Sequence, residues 1–175
     1  MSVSSHLNPE PERRLWIIHE SVLRHSEWTD VKLAVLSFFA VIEMPVILGV
    51  FREGPLAMLA VALLCAVLPL TLAAFSPLAD TARVLPLLDA SVGKMDPADS
   101  FLAASDLARY PQIELVNRLD RYLGGGITAT RYYEDIVGRI ISVSRTASRK
   151  RRLFALACAP AVAAQLAVAL RLFLR

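Results

Sequence analysis

The sequence predicts an all-α membrane protein: a two-span N-terminal hairpin, then a cytosolic helical module, then a third, C-terminal span. Three observations predict it. Apolar runs long enough to enter a bilayer extend from Leu33 to Phe51, from Leu56 to Phe75 and from Leu153 to Leu170. Four consecutive cations, Arg149-Lys150-Arg151-Arg152, stand directly before the third run and pin that end of it to the cytoplasm. Hydrophobic residues make up 55% of the 175-residue chain, more than a soluble domain of this size normally carries. The implied division is a cytosolic amphipathic helix over 1–30, a transmembrane hairpin over 31–76, a cytosolic helical module over 77–152, and the third span with a short tail over 153–175.

At the N-terminus, Leu15, Ile18, Val22 and Leu23 recur at helical spacing, while Arg14, Glu20, Arg24 and Glu27 fill positions between them. An amphipathic helix is therefore expected from about Glu12 toward the membrane. The first apolar run starts too deep, behind charges too mixed, for a cleavable signal, so it is expected to remain in the protein. Arg52-Glu53-Gly54-Pro55 forms the tight turn to the second run.

Charge orients these elements. Arg13, Arg14, Arg24 and Lys32 precede the first span, and a dozen Lys or Arg residues lie between Ser76 and Arg152. The N-terminus and the loop around Arg118 are expected in the cytoplasm and Gly54 in the periplasm of an inner-membrane, multi-pass protein. Arg171 and Arg175 then fall on the far side, a mild conflict that the larger bias of the loop overrides. An interfacial third helix is the alternative.

Within the loop, Asp96-Pro97 resembles an N-cap followed by proline at the first helical position, opening a short helix that ends near Tyr110 because Pro111 follows. A second helix carries the stripe Ile113, Val116, Leu119 and Leu123 and stops at Gly124-Gly125-Gly126. From about Thr130, the residues Tyr133, Ile136, Val137, Ile140, Ile141 and Ser144 keep helical period, so the last soluble helix is expected to continue into the third span as a stalk. The soluble part is expected to be a helical bundle closed by the N-terminal helix.

No catalytic arrangement emerges and no cofactor is implied, so the expected protein is not an enzyme. His6, His19 and His25 show no metal-ligand spacing, and His19-Glu20 is expected to be a solvated face. Ser142, Ser144 and Ser148 have no histidine near them in sequence. Cys65 and Cys158 fall inside apolar runs and act as small apolar residues.

The loop's middle is instead rich in guanidinium and phenol. Arg109, Tyr110, Arg118, Arg121, Tyr122, Arg131, Tyr132 and Arg139 could grip a phosphate and stack a base. The competing reading pairs Arg118 and Arg121 with Glu114 and Asp120 along their helix. The glycine triplet and Arg131 are a weaker anion site, since no Lys-Ser or Lys-Thr follows to make a phosphate loop. Nucleic acid is not an expected partner, because acidic residues intersperse the cations.

Inside the spans, Glu43 is unexpected. A carboxylate at that depth costs about 2.5–3.5 kcal/mol on insertion scales and must be neutralised, paired or turned toward a polar cavity. Gln165 lies at similar depth, so the two can meet, as a structural hydrogen bond or as part of a conducting path. Ala155, Ala159, Ala163 and Ala167 form a ridge of small residues suited to close packing within or between protomers. Pro45, Pro69 and Pro160 are candidate kinks.

The layout resembles one family. Trp28-Thr29-Asp30-Val31-Lys32-Leu33-Ala34-Val35-Leu36 is similar to the Ala-Asp-x-Lys-Ala pattern, followed by aliphatics, that opens the first span of Pycsar transmembrane effectors. Thr29 and Leu33 stand where that pattern has alanine. The stretch Tyr133 to Phe154, with Ile136, Ile140, Ser142, Ser144 and Lys150, is similar to the stalk leading into the family's last span. The resemblance implies a bacterial antiphage effector paired with a nucleotide cyclase. It would bind a cyclic pyrimidine mononucleotide, cyclic CMP or cyclic UMP, and respond by damaging the lipid bilayer of the inner membrane, with no enzymatic step and as a homo-oligomer. The runner-up is an accessory membrane protein that binds a partner through its cytosolic helices, and a membrane enzyme comes third.

Overall fold

The computed structural model describes residues 10–51, 54–75, 96, 99–124 and 130–174. Five helices run through them: α1 (Glu10–Val50), α2 (Pro55–Phe75), α3 (Ala104–Leu107), α4 (Gln112–Leu123) and α5 (Arg131–Phe173). No strand occurs among the described residues. Helices α1, α2 and α5 are long and apolar enough to cross a membrane. His6, Arg52-Glu53, Pro97, Gly125-Gly126 and Arg175 lie outside the described residues.

The chain divides into two units. The first takes α1 through Glu27, then α3, α4 and α5 through Ser148; the second takes α1 from Trp28, α2, and α5 from Arg149. Both long helices therefore contribute to both units without a break. Buried positions of α1 recur every seven residues, Leu15, Val22 and Thr29 in one series and His19, Ser26, Leu33, Ala40 and Ile47 in the other. Within each unit, such a seam keeps α1 facing the helices packed against it.

In the first unit, Leu15, Ile18 and Val22 of α1 pack with Leu107, Leu115, Leu119, Ile136, Val137 and Ile140 in one apolar core. Leu23 is exposed, and His19 is buried in its place rather than solvated. The seven-residue seam passes through 19, not 23. Burial, and after it the Arg139 guanidinium, holds the His19 imidazole below its usual pKa. Its ring meets Trp16 edge-on at 5.4 Å.

Two expectations about this unit are corrected. The helix expected from Asp96 to Tyr110 is reduced to Ala104–Leu107. Asp99 Oδ2 does accept from the Asp96 N–H at 2.9 Å, as a capping side chain would, but other side-chain acceptors take amides that the helix would have used: Ser100 N–H donates to Asp106 Oδ2 at 3.2 Å and Leu102 N–H to Ser100 Oγ at 3.2 Å. On α4 the core side is Leu115, Val116 and Leu119, and Ile113 stands outside it at 77% exposure. The start and stop signals act as read. Pro111 precedes the first turn, and Gly124 takes φ +83° while its N–H bonds Asp120 O. Helices α4 and α5 meet at Gly138, where an added Cβ would stand 3.1 Å from Gln112 Nε2. From there Gln112 donates to Glu134 O at 3.1 Å.

In the second unit, small residues set the spacing. Ala40 of α1, Ala57 and Ala60 of α2, and Ala157, Ala164 and Ala167 of α5 pack around Leu64 and Val67. Of the ridge expected at Ala155, Ala159, Ala163 and Ala167, Ala167 belongs to this core, while Ala155 and Ala159 are exposed. Four-residue steps advance roughly 40° too far per repeat of a helix with 3.6 residues per turn, so such a ridge winds away from a straight seam. The helices run on through Pro45, Pro69 and Pro160.

Both ends of this unit are tied. Lys150 Nζ of α5 donates to Asp30 Oδ2 of α1 at 2.7 Å. At the other end the Arg171 guanidinium lies against the α1–α2 turn, 3.1 Å from where a Gly54 Cβ would stand. Helices α1 and α5 thus run parallel here, with α2 antiparallel between their ends. Asp30 is the acidic residue of the segment that opens the first apolar run. Its pairing leaves Lys150 only 16% and Asp30 34% exposed. Asp30→Asn is expected to destabilise the protein by about 1–3 kcal/mol, less than for a fully buried pair because water reaches both groups. A double-mutant cycle with Lys150→Met, followed by unfolding in detergent, checks this; a coupling energy of zero would assign the pair no role.

Candidate functional site

The site is an open cleft of about 750 Å³ in the first unit, lined by Asp96, Asp99, Phe101, Tyr110, Glu114, Arg118, Arg121 and Tyr122. Its size lies within the range of small-molecule sites. One wall is α4, which presents Glu114, Arg118, Arg121 and Tyr122 at successive turns of one side. The facing wall is the turn that precedes α3, and it owes its shape to the side-chain acceptors described above.

Arg118 joins the two walls. Its Nη2 donates to Asp99 O at 3.0 Å and its Nη1 to Asp96 O at 3.2 Å and to the Tyr110 hydroxyl. The same guanidinium lies over the Phe101 ring at 4.8 Å and the Tyr110 ring at 5.1 Å. Tyr110 in turn donates to Asp99 Oδ2 at 2.9 Å. These bonds turn Arg118 across to the loop. Arg121 Nε donates to Asn117 O one helical turn back, at 3.3 Å. Tyr122 is 65% exposed and lies against Phe101, with ring centroids 4.9 Å apart and planes tilted by 42°.

Of the residues singled out from sequence, Tyr110, Arg118, Arg121 and Tyr122 come together in the cleft. Arg109 stands beside it, 3.8 Å from Asp99 Oδ1 and 3.9 Å from Asp106 Oδ1. Arg131 opens α5, is exposed and is not among the lining residues. Phe101 and Glu114 belong to the site and were missed as members of it. Phe101 offered one signal, an aromatic residue between two acidic ones in a segment otherwise rich in small residues.

The second unit holds a smaller cavity of about 210 Å³, lined in part by Phe39, Ala40, Leu64 and Val162. Glu43 and Gln165 also line it, and Gln165 Nε2 donates to Glu43 Oε2 at 2.5 Å. A carboxylate in an apolar helix thereby gains a neutral donor from another helix.

Chemically, the larger cleft offers aromatic faces, a guanidinium and a carboxylate along one wall. Those groups suit a planar, polar ligand carrying an anionic group. Compared with protein-family models, curated proteins and solved structures, the chain matches none.

Proposed function

We propose that the protein is a ligand-gated effector of a two-gene antiphage defence system: its first unit binds cyclic CMP or cyclic UMP, and binding leads the apolar helices to impair the inner membrane. The observation that carries this reading is the cleft itself, an aromatic and guanidinium-bearing site in a unit that shares α1 and α5 with the apolar helices. A nucleotide cyclase is the functional partner, and membrane damage produces abortive infection. The protein catalyses nothing in this reading. The first unit lies in the cytoplasm, where the cationic segment Arg149–Arg152 keeps it, and the Gly54 turn faces the periplasm.

The test has two parts. Detergent-solubilised protein is titrated with all four cyclic mononucleotides, and the same protein in liposomes is assayed for dye release. Saturable binding of a cyclic pyrimidine nucleotide, with release only in its presence, is expected. Release that is equally strong without nucleotide, or no binding at all, sinks the proposal. Orientation is read by labelling intact spheroplasts with an impermeant thiol reagent after replacing Cys65 and Cys158. A cysteine at Gly54 is expected to react and one at the exposed Ile113 to stay unmodified.

A second reading has one observation in its favour. Ile113 and Leu102 are exposed apolar residues of the first unit, at 77% and 56%. They suit an accessory membrane protein that docks a partner through its cytosolic helices.

A further inference from the structure

We infer that the cleft distinguishes the two pyrimidines and prefers cytosine, with Glu114 reading the exocyclic amine and Arg121 holding the phosphate. This rests on the cyclic-nucleotide reading above and adds the identity of the base to it.

The inference follows from asking which polar groups of the cleft are already used. Asp99 Oδ2 accepts from the Asp96 amide and from Tyr110, both at 2.9 Å, and its Oδ1 faces Arg109 at 3.8 Å. Tyr110 and Arg118 are committed to the loop by the bonds already given. A ligand cannot take Arg118 without dismantling the wall it would bind to. Glu114, by contrast, is exposed and has no hydrogen-bond or ion-pair partner among the described residues. Arg121, also in the lining, uses only its Nε, which leaves both terminal nitrogens available to a ligand.

Geometry then orders the ligand. Glu114 and Arg121 are seven residues apart, which places them on one side of α4, roughly 10 Å apart along its axis. Beside Arg121 stands Tyr122, whose exposed ring lines the cleft and can hold a base. A nucleoside phosphate has its base edge at one end and its charge at the other, so the carboxylate meets the base and the guanidinium meets the phosphate. The reverse order would bring phosphate against Glu114, like charge on like.

The base edge decides the rest. An ionised carboxylate only accepts hydrogen bonds. Cytosine presents its N4 amine there, a donor, whereas uracil presents O4, a second acceptor. With position 4 of the ring against Glu114, uracil therefore loses that bond and gains a repulsion.

The experiment measures the affinity of the detergent-solubilised full chain for cyclic CMP, cyclic UMP, cyclic AMP and cyclic GMP, with Glu114→Gln and Arg121→Ala alongside. Cyclic CMP is expected to bind at least about tenfold more tightly than cyclic UMP. Glu114→Gln should bring the ratio close to one, because an amide turns to offer either a donor or an acceptor. Arg121→Ala should weaken both pyrimidines about tenfold to hundredfold and leave their ratio unchanged. Equal affinities, a preference for cyclic UMP, or a ratio that Glu114→Gln does not move would overturn the inference while leaving the nucleotide reading in place. Binding of purine nucleotides only, or of none, overturns both. A variant that loses all binding is checked by hydrogen exchange across α4, and a folded variant that binds nothing counts against the assigned roles.

Discussion

Arg118→Ala is expected to loosen the whole turn from Asp99 to Tyr110 and to erase the cleft, even though one side chain alone is removed. The guanidinium holds two backbone carbonyls, touches the Tyr110 hydroxyl and lies over two aromatic rings. Hydrogen bonds from a charged donor contribute about 1.5–3 kcal/mol each when buried, and cation–π contacts add about 0.5–2 kcal/mol. Because Arg118 is only partly buried, a net loss of about 2–3 kcal/mol is expected rather than the sum. Arg118→Lys should recover little of it, since an ammonium cannot bridge two carbonyls in a planar fork while stacking on a ring. Amide hydrogen exchange reads the effect locally. Faster exchange confined to Asp99–Tyr110, with Ile136–Ile141 still protected, is the expected pattern. Unchanged protection there would mean that the turn is held by its own side-chain acceptors and that Arg118 is available to a ligand after all.

A Gly-Pro insertion between Ser148 and Arg149 is expected to abolish nucleotide-dependent leakage while leaving nucleotide binding intact. α5 is one 43-residue helix, and proline inside a helix costs about 3 kcal/mol or more through a lost hydrogen bond and a clash with the preceding turn. The insertion falls after Ile140, Ile141 and Ser144, so the core of the first unit keeps its contacts. The proposed output requires that nucleotide bind two arrangements of the protein unequally and that α5 carry the difference to its apolar half. Glu43→Leu tests the far end of the same path. It removes the acceptor of Gln165 and is expected to change leakage more than affinity. Leakage that survives the insertion would remove the stalk mechanism and leave the membrane activity to be explained by clustering alone.

The apolar runs were legible in the sequence because their signal is local: length and composition decide whether a helix can cross a bilayer, and α1, α2 and α5 each meet that condition. Helix ends were legible where single residues impose them. Pro111 and Gly124 bracket α4 because proline cannot donate and glycine alone enters positive φ without strain. The period of α5 from Tyr133 to Ser144 was legible for the same reason, and so was the matching depth of Glu43 and Gln165, which follows from a fixed rise per residue.

What only the tertiary structure decided is which of several equivalent side chains is used up. Arg109, Arg118, Arg121 and Arg131 look alike as a list of cations in a loop. Folding ties Arg118 to a wall, leaves Arg121 and Glu114 facing the cleft, and sets Arg131 apart from it. Likewise, local propensity favoured a helix from Asp96, but Asp106 and Ser100 accept from the amides of Ser100 and Leu102 in the turn that Tyr110 and Arg118 hold. The seam of α5 passes through Ala157 and Ala164 rather than Ala155 and Ala159, because the helices packed against it choose the face that is buried. A side chain's partners lie far away in sequence, and spacing along one helix does not reveal them.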